Sequence, residues 1–196
     1  MSDRLDHDHP LVLKAIAVVG IALSLFQLYA AGLQPLGLFF QRPIHLGFIL
    51  VLCFLIYPAF GRSRRRGLLG WSIDLPLIAG GVLVGVWVPA NIDAIANAIF
   101  PRTIDIVVGV ITVLLVMEAA RRAVGLLLTV IAAVFIVYAF IGSRGEFAWA
   151  ADWLPGILNH KGYTLERVAS QLTLGAEGIY GLPLGVAATF IFVFVL

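Results

Sequence analysis

The chain has 196 residues, of which 61% are hydrophobic and 12% charged, with a formal net charge of +2. A soluble domain carries about 25% charged residues, so an ordinary soluble fold is excluded and the composition is that of an all-α integral membrane protein. The small net charge gives no argument for a nucleic-acid partner, and the single cysteine, Cys53, allows no intrachain disulfide.

Residues 1–10, MSDRLDHDHP, set Asp3, Asp6 and Asp8 against Arg4 and read as a polar cytoplasmic tail rather than a basic secretory leader. The apolar run 11–31 has 21 residues. A signal core has about 7–15, so the run reads as a retained span. Four more runs, at 44–60, 73–90, 104–120 and 123–141, are long enough to cross a bilayer. A sixth, GLPLGVAATFIFVFVL, begins at Gly181 and reads as a truncated span, as if the chain were the front part of a longer protein. The expectation is five transmembrane helices plus a truncated sixth.

Orientation follows from Lys and Arg placement. With the N-terminus inside, the inner set is Arg4, Lys14, Arg62, Arg64, Arg65, Arg66, Arg121 and Arg122, and the outer set is Arg42, Arg102, Arg144, Lys161 and Arg167. The GRSRRRG loop, with Arg64, Arg65 and Arg66, is the strongest single signal. The N-terminus is therefore expected to be cytoplasmic.

Residues 111–140, ITVLLVMEAARRAVGLLLTVIAAVFIVYAF, pose the main topological question. As one helix the run would be about 45 Å long, against a hydrocarbon core of about 30 Å. Glu118, Arg121 and Arg122 would then sit near mid-membrane, where each ionised group costs about 2.5–3.5 kcal/mol. Two spans meeting at EAARR remove that cost, and Gly125 offers a break. Glu118 stands three and four residues before Arg121 and Arg122, so a local ion pair fits a helical bend there. These three residues read as an inner-face anchor.

Residues 143–176 read as an interfacial segment on the outer side. Trp149 and Trp153 are boundary anchors. A short amphipathic helix is expected near 164–174, capped by Thr164, with Glu166 at its N-terminus and Leu165, Val168 and Leu172 on one face.

No catalytic constellation is present: H-E-x-x-H, C-x-x-C, G-x-S-x-G and P-loop patterns are all missing from the chain, which argues against an enzyme. His7 and His9 fall in the solvated tail, where DHDH is at best a weak metal ligand set, and His45 and His160 read as interfacial. Lys14, Asp74 and Asp105 fall at span boundaries and read as boundary markers rather than an ion path. Gly81–Gly85 and Gly181–Gly185 have small-xxx-small spacing and read as packing sites within the chain. The Gly-rich GAEGIYGLPLG before the last run suits a broken helix start.

Three stretches together resemble the fused permeases of the tripartite ATP-independent periplasmic (TRAP) transporters, the TAXI type most closely. They are RTIDIVVGVITVLLVMEAARRAVG, YAFIGSRG, and LNHKGYTLERVASQLTLGAEGIYGLPLGVAATFIFVFVL. The resemblance implies a bacterial inner-membrane permease that works with a periplasmic substrate-binding protein and an ion gradient, usually of sodium. Residues 11–120 would be the four-span small scaffold and 121–142 a linker span. Residues 143–176 would be a periplasmic segment with an arm helix, and 177–196 the start of a truncated transport domain. The family's ion-binding and substrate-binding motifs have no counterpart here. No cofactor is expected, and the coupling ion and substrate would bind on the remainder of the large permease domain. The competing reading is a stand-alone membrane scaffold or assembly protein without transport activity. Reporter fusions after Arg66 and Arg122 are expected to report the cytoplasm and fusions at Asp152 the outside; an outside signal at Arg122 would refute the two-span reading of 111–140.

Overall fold

The computed structural model describes residues 10–32, 36–60, 67–98, 100–175 and 177–191. Helix is the only regular structure among them. Helix α1 spans Pro10–Gly32, α2 Leu38–Ile56, α3 Leu68–Ala90, α4 Ile92–Ala96, α5 Thr103–Ala123, α6 Leu126–Phe140, α7 Leu165–Thr173 and α8 Leu182–Val186. Two short 3-10 segments, Ala148–Trp153 and Gly156–Leu158, lie between α6 and α7, and a π turn, Ala187–Ile191, follows α8.

Four helices, α1, α2, α3 and α5, are long and apolar enough to cross a bilayer. Burial is inverted relative to a soluble protein. Gln27, Asp74, Asp105 and Thr112 are buried, while Leu69, Leu127 and Phe135 face outward. Apolar surface turned out and polar groups turned in is the arrangement a hydrocarbon solvent selects. The chain is a multi-pass membrane protein.

Helix α2 departs from expectation. It runs from residue 38 to 56, not from 44 to 60. Its first turn is closed by Phe40 and Gln41 N–H groups donating to Gly37 O. The sequence QRPIH looks like a loop, yet Arg42 has carbonyl partners inside the protein, described below, and Pro43 is accommodated early in the helix. The helix stops before Pro58, because the residue ahead of a proline is pushed out of the α region; Tyr57 has φ −113° and ψ 95°.

The run 111–140 divides into two helices. Only Val124 and Gly125 separate α5 from α6, and Gly125 adopts φ 125°, a conformation that side-chain-bearing residues rarely adopt. The break thus falls just beyond EAARR, whose charges occupy the last turns of α5. The second helix is shorter than the expected span at 123–141: α6 has 15 residues, about 22 Å of helix and under the usual minimum of about 17 residues. It turns back beside α5, since Tyr163 N–H, just ahead of α7, donates to Ala139 O and α7 packs on α5 at Gly109. The expected sixth span is one helical turn followed by the π turn, and residues 192–196 lie outside the described residues.

The tightest helix pair is α2 with α3. A Cβ on Gly47 would lie 2.7 Å from Gly85 Cα and 2.9 Å from Gly81 O. Gly81 and Gly85 therefore pack within the chain, as their spacing predicts, and the contact puts two backbones in van der Waals touch. Leu46, Leu50 and Phe54 of α2 then meet Val84 and Val88 of α3, Leu115 of α5, and Tyr180. Gly47→Val is expected to lose about 1–3 kcal/mol by overpacking, read as a lower unfolding temperature in detergent; Gly20→Val, which meets open space, should leave it unchanged.

Candidate functional site

Three buried polar clusters organise the bundle. The first sits at the end of α5. Arg122 Nη1 donates to Asp74 Oδ1 at 2.7 Å and to Tyr57 O at 2.9 Å, and its Nε donates to Glu118 Oε1 at 2.6 Å. Its guanidinium also lies over the Phe54 ring, 5.2 Å from the centroid. The Arg122 and Asp74 side chains are 3% and 0% exposed. Arg121 forms a two-pronged pair with Glu118, both bonds at 2.7 Å, on the outer face of the cluster.

Sequence spacing brings Glu118, Arg121 and Arg122 together as expected. Spacing alone missed Asp74. Read as a boundary marker, it is instead the counter-charge of Arg122, joining α3 to α5, while Tyr57 O ties in the end of α2. The available signal was chemical: an intramembrane acid and an intramembrane arginine at the same end of neighbouring spans seek each other. The other expected anchors, Arg64, Arg65 and Arg66, lie outside the described residues.

The second cluster sits at the opposite end of α5. Asp105 accepts from Arg102 Nε at 2.7 Å, Arg102 Nη2 at 2.9 Å and Trp87 Nε1 at 3.0 Å. Arg102 Nη2 also reaches Asn91 Oδ1 at 3.3 Å. Both carboxylate oxygens are engaged, so this acid is a structural link between α3 and α5.

The third cluster joins α1, α2 and the segment 177–191. Gln27 Nε2 donates to His45 Nδ1 at 2.6 Å. Gln41 Nε2 donates to Gln27 Oε1 at 3.2 Å and to Ala188 O at 3.1 Å. Arg42 Nη1 donates to Tyr180 O at 2.6 Å and Gly181 O at 2.9 Å. Gly185 lies so close to the Arg42 guanidinium that a Cβ there would sit 2.5 Å from Nη2. Irregular backbone in a membrane protein needs protein partners for its carbonyls; Gln41 and Arg42 supply them to the stretch around α8 and its π turn. His45 and Arg42, expected at the outer boundary and in an outer loop, are both in α2, with His45 buried. Gln27 and Gln41 were missed, although a glutamine inside an apolar run is the kind of residue that turns toward a bundle interior.

Residues 143–176 are partly as expected. Thr164 Oγ1 accepts from Arg167 N–H at 3.4 Å and caps α7. Trp149 and Trp153 are 66% and 76% exposed and pack edge to face at 5.2 Å, as interfacial anchors would. Beyond the expected apolar face, α7 also packs against the bundle: Ala169 and Thr173 are buried while Leu165 stays exposed. Thr173 Oγ1 and Ala169 O lie against Gly109 of α5, where only small groups fit. His160 is held inside its loop, accepting from Gly162 N–H at 2.9 Å and donating from Nε2 to Tyr138 O at 3.0 Å. No group of three or more His, Cys, Asp or Glu occurs among the described residues; His7 and His9 lie outside them.

Arg122→Ala is expected to lose about 3–5 kcal/mol, because it strands Asp74 in the interior, whereas Arg121→Ala should lose no more than about 1 kcal/mol. In a double-mutant cycle read by unfolding in detergent, Asp74→Ala with Arg122→Ala should be less damaging than the sum of the single changes.

Comparison with protein-family models, with curated proteins and with solved structures finds no match to this chain.

Proposed function

We propose that this chain is the scaffold portion of a permease in a binding-protein-dependent, ion-gradient-driven solute transporter of the TRAP kind, set in a bacterial inner membrane. The observation that carries this reading is the grip of Gln41 and Arg42 on the backbone of residues 180–188. A static scaffold must hold the first piece of the part that moves, and here a buried and a half-buried donor of α2 hold a broken, glycine-bounded helix start. Broken helices of this kind recur where transporters place substrates and ions. The buried charges in the long helices are consistent with a static role: Asp105 and Arg122 are each held by two or more polar contacts. Coupling ion and substrate then bind on the moving part, with sodium as the ion, and a periplasmic binding protein docks at the end of the bundle that carries α7.

The test is transport itself. Protein purified from its full reading frame is placed in proteoliposomes with the secreted binding protein encoded beside it. An imposed sodium gradient should drive uptake of the solute that co-purifies with that binding protein. Arg42→Ala should lower the initial rate at least about tenfold, as expected when about 1.4 kcal/mol of docking is lost, while leaving insertion and folding intact. Correctly inserted protein that gives no gradient-dependent uptake would reject the transporter reading and leave a stand-alone membrane scaffold.

A further inference from the structure

Between α6 and α7 lies a cleft of about 470 Å³. Its apolar lining includes Phe135 and Ile136 of α6 and Leu172 of α7. Its polar lining is Arg167, Tyr163 and Gln171, and no carboxylate lines it. The Arg167 guanidinium lies 5.8 Å from the centroid of the Tyr163 ring, a stacking that steadies the side chain at the mouth. No salt bridge to Arg167 occurs among the described residues. The nearby acids are placed elsewhere: Glu146 Oε1 accepts from Leu165 N–H at 3.0 Å, and Glu166 lies about 100° round the helix from Arg167. Exposed Arg144 and Lys161, joined through a backbone hydrogen bond, lie in the same loop region, where Glu146 and Asp152 balance their charge.

The cleft also sits at a particular level of the bundle. Tyr163, which lines it, packs with His160, and His160 packs with Tyr138 near the end of α6; the exposed Trp149–Trp153 pair lies in the segment between α6 and α7. Aromatic residues of this kind mark the headgroup level. Phe135 and Ile136 stand about one turn further into α6 than Ala139, which accepts from Tyr163 N–H. An arginine without a carboxylate beside it, at headgroup level on a mostly apolar cleft, suits the phosphate and chain of a phospholipid. We propose that the α6–α7 cleft binds one anionic phospholipid, its phosphate against Arg167 and one acyl chain between Phe135, Ile136 and Leu172.

The full-length protein in detergent micelles, titrated with phosphatidylglycerol or phosphatidylcholine and read by native mass spectrometry, tests this. It should retain one phosphatidylglycerol at a concentration about tenfold lower than it needs for phosphatidylcholine. Arg167→Gln, at an exposed position, should bring the two lipids within about twofold of each other. Ile136→Trp should expel the retained lipid whatever its headgroup, and Ala139→Phe serves the same purpose if that variant misfolds. Excess sn-glycerol 3-phosphate, a headgroup without chains, should not displace the lipid. Equal retention of the two lipids, an unchanged preference in Arg167→Gln, or full displacement by glycerol phosphate would overturn the proposal.

Discussion

A guanidinium that is almost fully enclosed by protein, beside hydrocarbon, must find its counter-charge within reach, and Arg122 finds it on Asp74 at 2.7 Å. That pairing sets how α3 and α5 stand against each other, because separating two buried opposite charges in low dielectric is costly. Tyr57 O at the end of α2 joins the same arginine. Three of the four long helices are thereby fastened at one end. The Asp105–Arg102–Trp87 cluster fastens α3 and α5 at the other. Between these points the glycine contact of Gly47 with Gly81 and Gly85 lets α2 and α3 approach closely enough for Leu50, Phe54 and Val84 to form a continuous core. Dispersion and close packing hold the middle, and directed polar bonds hold the ends. The division is expected where lipid offers apolar side chains no less than the protein does.

The outward face follows from the same constraint. With the polar side chains of the long helices turned into the bundle, α6 is left apolar, and none of its residues is buried. The short α7 closes against α5 at Gly109 through Ala169 and Thr173. Its small buried face and its exposed Leu165 show that it is docked to the bundle as well as lying at its edge. The cleft between α6 and α7 is a product of that docking.

Local features of this fold were readable in the amino-acid order, and distant ones were not. The Glu118–Arg122 pair is a matter of helical periodicity, so four residues of sequence reveal it. The break at Gly125 was readable because charge and length both forbade a single helix. Thr164 as a cap needed only its neighbours. Asp74 pairing with Arg122 spans 48 positions, and no periodicity says which faces of two separate helices will meet. The early start of α2 was hidden for a related reason. Arg42 and Pro43 look like loop residues until the carbonyls of Tyr180 and Gly181, 138 and 139 positions away, are brought to them. Gln27 was passed over and His45 read as interfacial because they meet each other from two different helices. The shortness of α6 was missed because apolar composition runs through Ala123 and Val124, ahead of the point where the backbone breaks at Gly125.

The turn at Val124 and Gly125 has a consequence for how the protein enters its membrane. The sequence of α6, LLLTVIAAVFIVYAF, carries no charge at all, so by itself it holds no information about which way to thread. Two residues are too few for a linker that would let it choose independently. Its placement is inherited from the end of α5, where Arg121 and Arg122 immediately precede the turn, and an uncharged helix tied so closely cannot settle independently of the one before it.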